Sequence, residues 1–395
     1  MINYDTFLNS KIRALKPSGI RRFFDIANEM EHVISLSIGE PDFKTPWHIR
    51  EAGIASLEKG KTWYTPNKGF AKLREEISKY YSRRYQLQYD PQKEVVVTVG
   101  GSEAIDLCMR CIIEEGDEVL IPQPSFVCYE PLASLADATP VIIETKAENM
   151  FRLTAQEVEA HITPKTKLLV LPFPNNPTGA VMRREHLEEI ARVVQKHNLF
   201  VLSDEIYSEL TYGSQRHVSF AEIDGMRERT IVVNGFSKSY AMTGWRLGYA
   251  LGPEPIIDQM TKLHQFAIMS APTTAQYAAI EALKNGDPDI ESMKAQYDMR
   301  RRLMVGSFEK MGLSCFEPLG AFYTFPCIKS TGLTSEEFCL RLIKSKHVAV
   351  IPGSAFGDCG EGYVRVSYSY SLTHIAEALR RIEAFLQELK QGAAL

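Results

Sequence analysis

Residues 231–251 read IVVNGFSKSYAMTGWRLGYAL, two short apolar runs separated by a loop of small and polar residues. The runs, Ile231 to Asn234 and Leu247 to Leu251, have the length and continuous apolar character of strands that are buried on both faces. Lys238 stands in the loop, shortly after the first run ends. The sequence here therefore predicts two strands of a covered sheet with a polar loop at their ends.

The same alternation of apolar runs and amphipathic segments extends from about residue 95 to about residue 285. Such alternation is typical of parallel strands joined by helical crossovers. The remaining predicted strands are Val95 to Val99, Val119 to Pro122, Val141 to Glu144, Leu168 to Pro172 and Phe200 to Ser203. The predicted helices include Glu103 to Ile113, Arg184 to His197 and Thr274 to Leu283, and a capping box at Thr154 to Glu157 begins another. We therefore expect an α/β fold with a mostly parallel, seven-stranded sheet covered by helices.

The pattern changes after Asp287-Pro288, where a long helix is predicted to reach about Met311. Strand-like segments and a final helix follow it; the strand-like segments are Ala321 to Phe325, Val348 to Ile351 and Tyr363 to Ser367. The first 45 or so residues lack a strand–helix rhythm of their own. We therefore predict a large domain at residues 46–286 and a smaller α+β domain formed by residues 1–45 and 287–395.

The composition and charge of the chain limit the kinds of molecule that it is expected to bind. The 395 residues carry a formal net charge of −4 with acidic and basic residues mixed along the chain, so neither nucleic acid nor a membrane surface is expected as a partner. No run approaches the roughly 20 apolar residues of a membrane span. Seven cysteines in a chain of this size indicate free thiols and a cytoplasmic location, and the pair Cys108 and Cys111 falls in a predicted helix without a second ligand pair, so no metal is expected. A small molecule is the expected ligand.

Lys238 is the first candidate for chemistry. A lysine at a strand end forms an imine with an aldehyde cofactor if desolvation or a nearby cation lowers the pKa of its ammonium. Arg246, eight residues later, suits a phosphate. An ordinary solvated lysine explains the same residue equally well, so other segments have to decide.

Three further candidates follow predicted strands, where ligands bind in open α/β sheets. Asn176 lies in a Pro- and Gly-punctuated turn, and its amide suits a ligand oxygen, although a simple turn explains it as well. Asp204 is a carboxylate expected to be partly shielded from water at such an edge, so it needs a cationic partner. A protonated pyridine nitrogen supplies such a cation, although an ordinary helix cap explains this aspartate as well. Gly100-Gly101-Ser102 joins a predicted strand to the predicted helix that begins at Glu103, and the backbone N–H groups of such a junction suit a phosphate, although two glycines alone are weak evidence. Arg365 has a planar fork suited to a substrate carboxylate, with an ordinary salt bridge as the alternative.

Together and in this order, these segments closely resemble the class I and II aminotransferases of the pyridoxal-phosphate fold-type I superfamily, in the aspartate and aromatic aminotransferase-like branch. The resemblance covers essentially the whole chain. It is carried by Ser37 to Phe43, Tyr64, Gly101-Ser102, Asn176 to Gly179, Asp204 to Tyr207, Ser237-Lys238 and Arg365. It implies a homodimer with shared active sites that uses pyridoxal 5′-phosphate to move an amino group from an L-amino acid to a 2-oxo acid, with 2-oxoglutarate as the expected acceptor.

The resemblance also implies a role for each site residue. Lys238 would hold the cofactor as a Schiff base and, once freed, move a proton between the substrate α-carbon and the cofactor's aldehyde carbon. Asp204 would pair with the pyridine nitrogen, Tyr207 and Asn176 would hydrogen-bond the ring oxygen, and Phe126 would stack on the ring. The phosphate would be bound by Gly101, Ser102, Glu103, Ser237 and Arg246, and by the partner subunit's Tyr64. The substrate would contact Gly39, Phe126, Asn176 and Arg365, the last through its α-carboxylate.

Substrate choice stays open at this point. No segment clearly supplies a second arginine for an acidic side chain, and the segment from Lys16 to Ile20 is expected to cover the pocket. Aspartate, aromatic amino acids and acylated diamino acids are all compatible. Two other functions share the core motifs: a carbon–sulfur β-lyase on the same fold, and a pyridoxal-phosphate-binding regulator, for which a preceding basic helix-turn-helix is expected but not found in the sequence.

Overall fold

The chain is organised around a central sheet. The computed structural model describes residues 2–214 and 216–392, with the side chain of Asn28 left aside. The strands of this part are β1 (Ile34–Ser35), β2 (Val95–Thr98), β3 (Glu118–Gln123), β4 (Thr139–Glu144), β5 (Thr166–Leu171), β6 (Phe200–Asp204), β7 (Thr230–Gly235), β8 (Gly248–Leu251), β9 (Tyr323–Thr324), β10 (Val348–Ala349), β11 (Ile351–Pro352) and β12 (Val364–Ser367).

Seven of these strands form the large sheet, in the order β2-β8-β7-β6-β5-β3-β4. Neighbouring strands run parallel from β7 through β6, β5 and β3 to β4, whereas β8 runs antiparallel to both β2 and β7. The strands β2, β7 and β8 are buried along their whole length, as their apolar runs require, although β2 lies at one edge of the sheet. The predicted α/β class and mostly parallel sheet are confirmed.

Helices cover this sheet. The α-helices of the described residues are α1 (Ser10–Ala14), α2 (Gly19–Glu29), α3 (Trp47–Glu58), α4 (Ala71–Tyr85), α5 (Gly101–Ile112), α6 (Tyr129–Leu135), α7 (Ala155–Ala160), α8 (Arg184–Lys196), α9 (Glu254–Ala267), α10 (Thr273–Asn285), α11 (Asp287–Met311), α12 (Ser335–Lys346) and α13 (Leu372–Lys390). The predicted capping box is confirmed, because Thr154 and Glu157 each bond the other's backbone at the start of α7. In α8 the buried residues recur at helical spacing, which turns one apolar face towards the sheet; they are Leu187, Ile190, Ala191 and Val194.

The C-terminal part builds a second, smaller sheet. β9, β12 and β11 pair antiparallel in the order β11-β12-β9, and β1 pairs parallel with β10, which joins residues near the start of the chain to the C-terminal part. The predicted strand from Ala321 to Phe325 is shorter in the structure, because Ala321 has a left-handed φ of +57°. The predicted strand from Val348 to Ile351 is divided between β10 and β11. The assignment of residues 46–286 and of residues 1–45 with 287–395 to two domains stays a prediction.

The sheet topology brings several loops to one edge. The carboxyl ends of β2, β3, β5, β6 and β7 share that edge, and the antiparallel β8 begins there. Loops that follow the parallel strands therefore meet the loop that precedes β8. No helix in the described part of the chain is both long enough and apolar enough to cross a membrane.

The packing of α8 on the sheet gives a stability prediction. Ile190 is fully buried among side chains of β5 and β6. Ile190→Ala should lower the free energy of unfolding by about 2–5 kcal/mol, because the cavity is lined by a sheet that relaxes little. Denaturant unfolding measures this, with Glu189→Ala on the exposed face of the same helix as the control. Equal unfolding midpoints for the two variants would contradict this packing.

Candidate active site

Lys238 lies three residues beyond the end of β7, with its amine enclosed by protein atoms. Its Nζ donates a hydrogen bond to the Gly39 carbonyl oxygen at 2.6 Å. Burial lowers the pKa of this amine to about 8; Glu40 opposes the shift, and the cations Arg365 and Arg246 contribute to it. A substantial fraction of Lys238 is therefore neutral near physiological pH, which an imine-forming or proton-accepting amine needs.

Asp204, the last residue of β6, is a buried carboxylate with two donors. The Tyr129 hydroxyl donates to Oδ2 at 2.7 Å, and the Ile206 backbone N–H donates to Oδ1 at 3.2 Å. Burial raises the pKa of Asp204 to about 6, and the hydrogen bond from Tyr129 opposes that shift. No cation forms an ion pair with this carboxylate within residues 2–214 and 216–392, so a cationic ligand group would compensate its buried charge.

Arg365 on β12 is a buried cation. Its Nη1 donates to Asn176 Oδ1 at 2.9 Å and its Nη2 to the Ser37 carbonyl oxygen at 2.5 Å, while Nε has no hydrogen-bond partner. Burial lowers the pKa of this guanidinium, a sign that its charge is poorly compensated. Of the carboxylates in the described residues, none forms an ion pair with it. The alternative of an ordinary salt bridge is therefore wrong for this arginine in the described part of the chain.

The environment of Arg365 differs from the sequence expectation in one respect. Alternation with apolar neighbours predicts a side chain that faces away from them, yet all four residues of β12 are buried. The guanidinium contacts two aromatic rings, with Cζ 4.6 Å from the ring centre of Tyr323 and 4.9 Å from that of Phe356. Aromatic faces thus replace solvent around this cation.

Tyr207 follows Asp204 by three residues and is buried. Its hydroxyl lies 2.8 Å from the Tyr323 hydroxyl, and the Lys238 Nζ is 5.8 Å from its ring centre. Burial, together with the neighbouring Tyr323, raises the pKa of Tyr207 well above its ordinary value, so the hydroxyl keeps its proton. Tyr207 is therefore available as a neutral donor beside Lys238.

The junction of β2 and α5 forms a cradle for an anion. Gly100 has a φ of +79°, and a Cβ there would lie 2.7 Å from an Arg246 Nη atom, so only glycine fits. Gly101 and Ser102 begin α5, which leaves free backbone N–H groups at this helix start. Arg246, just before β8, is exposed and donates from Nη1 to the Thr243 carbonyl oxygen at 3.0 Å. Ser237 is buried, one residue before Lys238.

The remaining predicted residues lie as follows. Glu103 turns its carboxylate back to the Val99 N–H at 2.5 Å and to His264 Nδ1 at 2.7 Å, so only its backbone faces the helix start. Phe126 is half-buried after β3, with its ring centre 6.2 Å from that of Tyr129. The side chain of Tyr64 is 78% exposed and makes no hydrogen bond within the described residues.

Two residues of this cluster, Tyr129 and Tyr323, were not predicted from the sequence. Tyr129 follows the predicted stacking residue Phe126 by three residues. Its closeness to the site could therefore have been predicted from this short spacing. Tyr323 lies on β9, far along the chain from Tyr207, and no local pattern marks it. A lysine with a lowered pKa, a buried carboxylate and a buried arginine thus lie within reach of one another's charges. This arrangement suits a carboxylate-bearing substrate and an aldehyde cofactor with a basic ring nitrogen.

Comparison with known proteins agrees with this chemistry. Residues 31–382 match the family model described as aminotransferase class I and II. The chain is 52% identical to a putative aminotransferase, YugH, of Bacillus subtilis over 97% of this chain and 99% of the relative. It is 46% identical to an aspartate aminotransferase of Pyrococcus abyssi, with the same coverage. The crystal structure of an aromatic aminotransferase from Pyrococcus horikoshii is 45% identical, has a TM-score of 0.89, and aligns over 93% of this chain and 99% of that one.

The environment of Lys238 gives a titration prediction. In cofactor-free protein, the rate at which Lys238 forms an imine with a small aldehyde should rise with pH through a midpoint of about 8. Glu40→Gln removes an anion that favours the ammonium, so it should move the midpoint down, and Arg365→Gln should move it up. Borohydride trapping followed by mass spectrometry of the Lys238 peptide measures the rate. A midpoint near 10 in all three proteins would contradict the buried environment.

Proposed function

The chain belongs to the class I and II aminotransferases, and on that basis we propose that it moves amino groups between L-amino acids and 2-oxo acids with pyridoxal 5′-phosphate, 2-oxoglutarate being the expected acceptor. The observation that carries the proposal is that Asp204 and Arg365 lie close enough for their charges to act on the buried Lys238 amine, with no ion pair among the three in the described residues. Each of these three groups matches one part of the reacting pair: the aldehyde carbon, the ring nitrogen and the substrate carboxylate.

The residues fit the cofactor. Asp204 forms no ion pair among the described residues, and burial raises its pKa. A pyridine nitrogen that keeps its proton would supply the missing positive partner. Tyr207 and Asn176 would hold the ring oxygen, and Phe126 would cover one face of the ring. The phosphate would be bound by the α5 start and nearby side chains: Gly101, Ser102, Glu103, Ser237 and Arg246. When bound, the cofactor supplies an electron-withdrawing ring that stabilises negative charge at the substrate α-carbon.

The protein's own part in the reaction is to hold the substrate and to move a proton. The Arg365 guanidinium would bind the α-carboxylate through two parallel hydrogen bonds, aided by the backbone near Gly39, and so fix the α-carbon. Lys238 Nζ, in its neutral form, would take the proton from the α-carbon and deliver it to the cofactor's aldehyde carbon on the same side. The carbonyl of Gly39 orients this amine through its 2.6 Å hydrogen bond. Burial of the cluster excludes water from the reacting atoms.

We also propose a homodimer with shared active sites. The supporting feature is a set of exposed apolar side chains on two contacting segments: Phe266 is 81% exposed, Trp63 56% and Ile268 48%, and the Thr273 hydroxyl donates to the Trp63 carbonyl oxygen at 2.7 Å. Exposed apolar side chains in one region are typical of a surface that another chain covers. The partner subunit's Tyr64 would then reach the phosphate. A cytoplasmic location remains an expectation from the seven cysteines.

For the amino donor, we propose three classes of amino acid and not a single substrate. Relatives named for aspartate and for aromatic amino acids are similarly distant from this chain, so aspartate, aromatic amino acids and acylated diamino acids are the donors to test first. Isotope-labelled donors with 2-oxoglutarate test the function itself: the label should appear in newly formed glutamate. Release of pyruvate and ammonia without an acceptor would instead favour the β-lyase, and no turnover of any donor would favour a regulator.

Lys238→Ala tests the role of the lysine. The variant should keep weak cofactor binding through the phosphate site and Asp204, and should lose nearly all label transfer, because the amine that would move the proton is removed. Retained absorbance after dialysis and the rate of label transfer are the two measurements. Substantial remaining transfer would overturn the assigned role.

Arg365→Lys tests carboxylate recognition. A point charge replaces a bidentate fork, so KM should rise for amino acids and oxo acids alike, by about tenfold if one charge-assisted hydrogen bond is lost. Steady-state kinetics with two donors and two acceptors measures the change. An increase confined to one substrate would mean that Arg365 recognises a side chain.

A further inference from the structure

Tyr323 occupies the centre of the site, although no motif points to it. It is fully buried on β9, and its register partner Ser367 lies on β12, two residues from Arg365. The hydroxyl lies against Gly39, where a Cβ would collide with it. One side chain therefore touches the Tyr207 hydroxyl, the Arg365 guanidinium and the loop that receives Lys238.

The Tyr323 hydroxyl has one partner. Within the described residues its only hydrogen bond is the one with Tyr207, at 2.8 Å. A buried hydroxyl seldom leaves its proton unused, so Tyr323 donates to the Tyr207 oxygen when Tyr207 donates elsewhere. That arrangement frees the Tyr207 proton to point into the site, and donation in series strengthens each bond of the chain.

The aromatic ring of Tyr323 contacts Arg365. The Arg365 Cζ lies 4.6 Å from the centre of this ring and 4.9 Å from the ring centre of Phe356. Contact with these two rings restricts the guanidinium, and a fixed guanidinium plane is what two-point binding of a carboxylate requires. The hydroxyl and the ring thus serve two different neighbours.

We propose that Tyr323 is a positioning residue with two separable parts: its hydroxyl makes Tyr207 a stronger donor towards the cofactor, and its ring orients Arg365 for the substrate carboxylate. This rests on the function proposed above, in which Tyr207 binds the cofactor's ring oxygen. Substrate binding and cofactor electronics are then supported by one side chain.

Tyr323→Phe removes the hydroxyl and keeps the ring. In the holoenzyme, the pH midpoint of the cofactor's absorbance change should rise by about 0.4–1 unit, because a weaker Tyr207 donor stabilises negative charge on the ring oxygen less well. The dissociation constant of succinate, a carboxylate without an amino group, should change less than about twofold, because the cation–ring contact remains. Tyr368→Phe is the matched control: Tyr368 is also fully buried and donates to the Ala321 carbonyl oxygen at 3.2 Å.

Tyr323→Leu removes both parts. It should shift the pH midpoint as the Phe variant does and weaken succinate binding by about two- to thirtyfold. If this variant does not fold, the Phe variant alone decides. A Tyr323→Phe midpoint equal to that of wild type and Tyr368→Phe would overturn the role of Tyr323, provided that wild type transfers label. Wild-type protein without label transfer would instead overturn the function on which the role rests.

Discussion

The site depends on charges that are buried without neutralising one another. Lys238, Asp204 and Arg365 share one region, yet none forms an ion pair with another in the described part of the chain. Burial shifts the pKa of each towards its neutral form, to about 8 for the lysine and about 6 for the aspartate. Such an arrangement costs stability in the free protein, and ligand groups of matching charge would relieve it. A cofactor and a substrate carboxylate supply those charges.

The fold keeps these groups apart by placing them on separate elements. Asp204 ends β6, Lys238 follows β7, and Arg365 sits on β12 of the smaller sheet. The antiparallel direction of β8 adds Arg246 at the same edge, opposite the start of α5. Gly248 makes this close approach possible, because a Cβ there would lie 2.5 Å from the backbone of Gly100. Rigid strands thus hold a geometry that flexible loops alone would lose.

Much of this arrangement is predictable from the sequence. Continuous apolar runs marked all seven strands of the large sheet, and turn residues such as those around Asn176 marked their ends. Contacts between distant segments were not predictable: nothing local places Tyr323 against Tyr207, or the rings of Tyr323 and Phe356 against Arg365. The hydrogen bond between the Glu103 carboxylate and His264 was also not predictable from the sequence, because the two residues lie 161 positions apart. Local patterns report strands and turns, whereas side-chain partners depend on how the elements pack.

The most direct test of the central claim is a half-reaction on the purified holoenzyme, in which the cofactor's visible absorbance is followed while one amino acid is added without any oxo acid. We expect a productive donor to bleach the band, because the amino group stays on the cofactor until an acceptor arrives. Addition of 2-oxoglutarate should then restore the band. A band that recovers unaided while pyruvate and ammonia accumulate would contradict transamination.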